Sequence, residues 1–285
     1  MTSIYYPQLT NNALPVTHAI EVIDEQGRTQ SIEIPGERPL TIYLDKKELV
    51  TLMTLGGAPE ALVLGYLRHQ GLVQNIEDIE SVQVDWETES VAVKTWRQAP
   101  NIDQITRKKT VTTGCGQGTV FGEFMSSVAD ISLNPEARLS QTAIYEVVEK
   151  IRHHPSIYKR AGSVHACAVF KNGPTGIELL YFIEDVGRHN AVDAISGLMW
   201  LDRQSGESLV FYTTGRLTSE MVIKGGQMGI PFLMTRSGAT EMGLSLAQQI
   251  NLCILARCSG RHFLVYQGAQ RIIFDCLATS SSDVL

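Results

Sequence analysis

The chain has 285 residues, 44% of them apolar and 19% charged, a balance that excludes wholesale disorder and suits one large domain or two modest ones. Its formal net charge of −6 argues against a general nucleic-acid binder, which would usually be basic. No apolar run is long enough to span a bilayer, and Met1 to Tyr6 is neither basic nor followed by an apolar stretch, so the chain is expected to stay in the cytoplasm, away from membranes.

In chain order, residues 1–17 read as a polar tail. Segments 18–25, 31–34 and 39–44 are enriched in β-branched residues and partly alternate, which predicts strands. Asp45 has the character of an N-cap, predicting a helix through Leu55 that Gly56-Gly57 breaks. Pro59 opens a second helix, Glu60 to Gln70, closed by Gly71. Strands follow at 79–86 and 90–97, so residues 1–110 form a smaller N-terminal α+β domain. Residues 111–139 are expected to be a Gly-rich loop and linker, carrying Gly114-Cys115-Gly116-Gln117-Gly118. From 140 to 285 the rhythm is regular. A helix spans Ser140 to His153, and strands 163–170 and 178–184 come next. Helix 189–201, strand 208–213, helix 218–228, strand 230–235 and helix 240–250 then alternate, and strands 252–257 and 262–266 close the pattern. Strands alternating with helices of this length predict a layered α/β sheet.

In open α/β sheets ligands bind beyond the carboxyl ends of the strands. Those positions here hold Glu184-Asp185-Val186-Gly187-Arg188-His189-Asn190, Thr214-Gly215-Arg216, Arg236-Ser237-Gly238 and Arg257-Cys258-Ser259-Gly260-Arg261. Taken singly, each is an ordinary polar turn. Together they combine glycines that let the backbone approach a ligand, helix N-termini that offer free N–H groups, and arginines that grip phosphate. A large, phosphate-containing, nucleotide-like ligand fits them, with an acid such as Asp185 on the base. Neither a P-loop nor a GxGxxG is present, which excludes a Walker ATPase and a dinucleotide-binding Rossmann fold.

The five cysteines, Cys115, Cys167, Cys253, Cys258 and Cys276, have no disulfide or zinc spacing. Glycines flank Cys115 and leave its sulfur unshielded, and Arg107, Lys108 and Lys109 stand close in sequence to favour a thiolate. Cys167, Cys253 and Cys276 read as small buried hydrophobes, and Cys258 stays open. His165 stands where a zinc deaminase has the first residue of H-x-E, but Cys167 replaces the Glu and no P-C-x-x-C follows, so no metal is expected. His165 then either faces a ligand or is a satisfied core histidine.

Glu184 to Asp193, Gly215-Arg216-Leu217-Thr218-Ser219-Glu220-Met221-Val222-Ile223-Lys224, Gly162-Ser163-Val164-His165-Ala166 and the Cys115 loop occur in an order that resembles the FdhD family of formate dehydrogenase accessory sulfurtransferases, over nearly the whole chain. The resemblance implies a cytidine-deaminase-like α/β core without zinc, a homodimer, and Cys115 as the carrier of a persulfide received from a cysteine desulfurase. It implies transient binding of the bis-molybdopterin guanine dinucleotide form of the molybdenum cofactor, with GDP as a mimic of its nucleotide half, and formate dehydrogenase as client. The stretch Leu255, Ala256, Arg257, Cys258, Ser259, Gly260 matches the family's cofactor-binding segment, to which Arg261, Asp185, Arg216, Arg236, Ser237, His189 and His165 are added as candidates. Some members carry a second cysteine in the loop where Gly118 stands here, so a disulfide cannot resolve the persulfide at this loop. A cofactor-binding chaperone without sulfur chemistry of its own is the rival reading.

Overall fold

The computed structural model describes residues 6–97 and 127–276; Cys115 and its loop lie outside them. The N-terminal part is built on a five-stranded sheet of order β1-β6-β7-β4-β5. Its strands are β1 (Gln8–Leu9), β4 (Arg38–Leu44), β5 (Lys47–Thr54), β6 (Ile79–Asp85) and β7 (Ser90–Thr95). A separate two-stranded ribbon pairs β2 (Thr17–Ile23) with β3 (Thr29–Pro35).

The helix expected from Asp45 to Leu55 is not formed, because Lys47–Thr54 is a strand paired antiparallel with β4. Asp45 and Lys46 are instead the two central turn residues, with φ of 46° and 71°. A turn with both residues left-handed matches the twist of the flanking strands. The Asp45 carboxylate, free of any helix cap, accepts from the Thr95 N–H and hydroxyl at 2.9 and 2.7 Å and ties the turn to β7. Alternation supports the strand, with Leu52 and Thr54 buried and Thr51 and Met53 exposed.

Helix α1 (Pro59–His69) is buried along its whole length apart from Arg68. It crosses α4 (Arg188–Leu201) at very close range through two glycines. A Cβ added at Gly65 would lie 1.7 Å from the Asp193 carbonyl oxygen, and one at Gly197 would lie 1.9 Å from that of Ala61. This crossing joins the N-terminal sheet to the second half of the chain.

The second half is a mixed six-stranded sheet of order β10-β9-β11-β12-β13-β14. Its strands are β9 (His165–Gly173), β10 (Gly176–Asp185), β11 (Leu209–Thr213), β12 (Phe232–Thr235), β13 (Cys253–Ser259) and β14 (His262–Gln267). Strands β11, β12 and β13 are parallel, and β9 is antiparallel to both β10 and β11, so β10 runs with the parallel set. Alternate residues of β9 feed opposite cores. Cys167 and Val169 meet α4, α5 (Ser219–Gln227) and α6 (Glu241–Gln249) on one face, while Ala168 and Phe170 meet Ile144, Val147 and Val148 of α2 (Gln141–His153) on the other. A short helix, α3 (Ile157–Ala161), precedes β9, and the small pair β8 (Leu139–Ser140) and β15 (Ile272–Ile273) lies beside α2. The helices foreseen at 140–153, 189–201, 218–228 and 240–250 all form within a residue or so of those bounds.

Candidate anion-binding edge

The strand directions bring the carboxyl ends of β10, β11, β12 and β13, with the first residue of β9, to one edge of the sheet. Each of β10, β11 and β12 is followed by a helix that begins at this edge. Gly187 and Thr218, the N-caps of α4 and α5, make no side-chain cap bond to their helices. Thr240 by contrast caps its own helix through Gly243 N–H. Hydrogen bonds hold the loops in register. Thr235 Oγ1 donates to the Gly215 carbonyl at 2.6 Å, Leu217 N–H to the Gly238 carbonyl at 3.0 Å, and Arg257 N–H to the Ser237 carbonyl at 2.9 Å. At the edge the Thr218 hydroxyl and Arg188 Nε are buried without a hydrogen-bond partner among the described residues. Buried polar atoms are rarely left unpaired, and a bound ligand is one way to satisfy them.

Arg216, Arg236, Arg257 and Arg261 are exposed on this rim and Arg188 is half-buried. No ion pair joins any of them to an acid among the described residues. Arg188 packs on Gly215, where a Cβ would come within 3.1 Å of its side chain. Arg257 is left-handed at φ 58°, in the β13 bulge, and its guanidinium lies against Gly238. His165 is half-buried, and burial together with Arg188, Arg236 and Arg216 holds its pKa below the usual value. Its imidazole is therefore neutral at neutral pH and can exchange hydrogen bonds with a ligand without adding charge. A cavity of about 300 Å³ opens here, walled by Phe182 and Tyr212 and reaching Arg236, Cys258, Ser259 and Gly260.

The structure sorts the remaining candidates. In the stretch Leu255 to Arg261 the side chains of Leu255 and Ala256 are fully buried in the core, so only Arg257, Ser259, Gly260 and Arg261 reach solvent. The Cys258 thiol is buried, and burial pushes its pKa up to about 12, which leaves it protonated and inert. Cys167 and Cys253 are buried as expected, whereas Cys276 is half-buried, with Sγ 3.5 Å from the Thr142 hydroxyl, because it follows β15 outside the sheet. Ser237 is half-buried on the rim, its N–H tied to Thr235 Oγ1.

Asp185 is 5% exposed and its oxygens accept from Thr54 Oγ1, Leu55 N–H, Gly187 N–H and Asn190 Nδ2. It thus pins β5 to the start of α4, and burial raises its pKa above the usual carboxylate value despite those donors. His189 is turned inward, with Nε2 3.2 Å from Glu220, and burial lowers its pKa to about 4.

Sequence reasoning missed the ion network in which His189 takes part. Lys224 is fully buried, 2.9 Å from Asp193 and 3.3 Å from Glu220, and Asp193 bonds His69 Nδ1 at 2.6 Å. Burial works against the Lys224 charge, but the two carboxylates outweigh it and hold its pKa above the usual value. Burial likewise opposes the Asp193 charge, yet Lys224 and His69 hold its pKa low. The network links α1, α4 and α5 directly beneath the edge. Spacing alone hinted at it only on α5, where Glu220 and Lys224 are four residues apart.

The chain is similar to known proteins along most of its length. The model of the FdhD/NarQ family matches residues 35–273. The Sulfur carrier protein FdhD of Wolinella succinogenes is 29% identical over 256 residues, 89% of this chain and 87% of that protein. Its counterpart from Listeria monocytogenes is 30% identical, covering 87% of this chain and 95% of the relative, and that of Sulfurisphaera tokodaii is 30% identical, covering 89% and 98%. A crystal structure of a protein from Desulfotalea psychrophila, assigned as a formate dehydrogenase accessory protein, superposes with a TM-score of 0.72 at 26% identity, covering 91% of this chain and 100% of that one.

Proposed function

The chain belongs to the FdhD/NarQ family, and we propose that it is a sulfur carrier: Cys115 accepts sulfur as a persulfide from a cysteine desulfurase, and the strand edge holds the bis-molybdopterin guanine dinucleotide molybdenum cofactor that receives it for a formate dehydrogenase. The observation that carries this reading is the set of arginines with no acid partner among the described residues, beside the starts of two helices whose N-cap residues make no side-chain cap bond. Such a surface favours phosphates, and the cofactor carries two pyrophosphates as substrate. Arg216, Arg236, Arg257 and Arg261 are the groups expected on phosphate, with His165 as a neutral hydrogen-bonding partner. Two subunits of a homodimer would present two such edges, one for each nucleotide half.

The sulfur chemistry is thiolate exchange. The Cys115 thiolate attacks the outer sulfur of the donor's persulfide, a new S–S bond forms as the old one breaks, and the donor's cysteine leaves as a thiolate. In the second transfer the acceptor supplies an electron pair to the outer sulfur, the S–S bond to Cys115 breaks, and the Cys115 thiolate is the leaving group. Neither step needs a second cysteine, in keeping with Gly118 in the loop.

Intact mass measurement after incubation with a cysteine desulfurase and cysteine tests the carrier role. Wild type should gain one sulfur atom and Cys115→Ala none. No gain by wild type over its own untreated mass, with an active donor, would remove the carrier role and leave a cofactor-binding chaperone. Titration with GDP tests the edge separately, because Arg216→Ala and Arg257→Ala should both weaken binding and flatten its salt dependence.

A further inference from the structure

The cavity at the arginine edge, about 300 Å³, has the volume of a small-molecule pocket. Val148 and Ile151 of α2, Val164 before β9 and Phe182 of β10 give it an apolar wall, and Arg236 stands at its mouth. Such a wall offers a phosphate no donor to replace its water, whereas a flat, weakly hydrated ring loses little there and gains packing. The cavity therefore suits the part of a nucleotide that is not phosphate. Asp185, the acid that the sequence offers for a base, is turned to Thr54, Leu55, Gly187 and Asn190, so a base needs another partner.

Several polar side chains of this cavity are already engaged. Thr214 Oγ1 accepts from the Ala166 N–H at 3.0 Å, and Ser156 Oγ from the Lys159 N–H at 3.3 Å. Glu184 accepts from the Ile157 and Tyr158 N–H groups, and Lys159 Nζ donates to the Arg152 and His154 carbonyls at 2.7 Å each. Tyr212 of β11 differs. It is 3% exposed, with its ring packed in the core on the α2 face. Its hydroxyl makes no hydrogen bond among the described residues, yet it is not one of the oxygens sealed from solvent, so it opens onto the cavity that Tyr212 lines. A polar group set this deep is rarely left unpaired, and water or a ligand meets it. Burial pushes its pKa up to about 12, so the hydroxyl keeps its proton at neutral pH and can donate it. The Arg236 charge acts on the same group, and a nearby cation favours the O–H dipole with its hydrogen pointing away, toward an acceptor in the cavity.

We propose that this cavity takes the purine base of the nucleotide held at the edge, and that the Tyr212 hydroxyl donates a hydrogen bond to the carbonyl oxygen of that base. The phosphates stay outside on the arginines, and the ring lies along the apolar wall. Tyr212 is then the residue that distinguishes a base carrying a carbonyl from one without it. The proposal rests on the edge binding phosphate, and its test separates the two ideas.

Calorimetric titration of the full chain with three probes tests it: GDP, the analogue in which 2-aminopurine replaces guanine and so lacks the carbonyl, and inorganic pyrophosphate. Tyr212→Phe removes only the hydroxyl. It should weaken GDP roughly three- to ten-fold, the worth of one hydrogen bond between neutral groups, and leave the analogue and pyrophosphate unchanged. Unchanged GDP affinity, or equal weakening of GDP and the analogue, overturns the proposal. A second variant tests the cavity without touching Tyr212. Ile151→Trp, at a half-buried position of α2, narrows the space and should weaken GDP and the analogue together, roughly ten-fold, while sparing pyrophosphate. Full GDP affinity in that variant puts the base elsewhere and overturns the proposal on its own. If wild type binds pyrophosphate but not GDP, the base assignment alone falls; if it binds none of the three, the edge reading falls and the base assignment with it.

Discussion

Replacing Lys224 by methionine removes a buried cation while keeping the shape of the side chain. The ammonium lies 2.9 Å from Asp193 and 3.3 Å from Glu220. At an effective dielectric constant of ~20 each contact supplies roughly 5 kcal/mol of attraction, and dehydrating each ion costs several kcal/mol. The intact network therefore adds little net stability. Removing the cation alone is different, because Asp193 has a fully buried side chain and its charge is left against that of Glu220. The expected loss is about 3–5 kcal/mol, a large share of the 5–15 kcal/mol typical of a folded domain. Urea unfolding at pH 7 measures it. Adding Asp193→Asn should recover part of the loss, since the pair then lacks both charges. The deficit should also shrink as pH falls. In wild type Lys224 holds the Asp193 pKa low, so that stability is present above the ordinary carboxylate pKa and is lost as pH falls through the lowered value. The variant has no such stability to lose. A loss under about 1 kcal/mol, or strict additivity in the double variant, would refute the reasoning.

Further outcomes follow from other contacts. Gly65→Ala should lower the melting temperature sharply, because its methyl group would meet the Asp193 carbonyl at 1.7 Å; overpacking of this kind costs about 1–3 kcal/mol or more, and an unchanged melt would deny the close helix crossing. His189 has a folded pKa of about 4 against an ordinary 6.5, so the unfolded chain binds the extra proton between those values and stability falls with falling pH across that window, by about 3 kcal/mol in all. His189→Gln should flatten that part of the stability–pH curve in chemical denaturation. Asp185→Asn should destabilise the chain by about 1–3 kcal/mol through its buried donors while leaving GDP affinity nearly unchanged; a large loss of affinity in a fully folded variant would return Asp185 to the ligand.

Much of the second half was legible because its strands are short apolar runs between helices with clear starts. The arginines and glycines after Asp185, Thr213, Thr235 and Arg257 are local features, and strand direction alone was enough to gather them at one edge. The turn at Asp45-Lys46 was not legible, since neither residue advertises a positive φ and an aspartate before Lys47-Glu48-Leu49 has the look of a helix cap. Asp185 and His189 have the residue types of ligand groups. Only burial and hydrogen bonds from Thr54 and Asn190, distant and near in sequence, show what those side chains are bound to.

The sequence by itself determined the alternation of strands and helices, the cysteine between glycines and the family, because these are written in short-range pattern and ordered motifs. The tertiary structure decided which charges turn inward. Lys224 meets Asp193 from the neighbouring helix, and His69 reaches that same carboxylate from the other half of the chain. No local pattern encodes such a meeting, since it depends on α1 and α4 closing to glycine-only distance and on the low-polarity interior they create. It also decided which arginines stay without an acid partner among the described residues, and so where they form a positive edge.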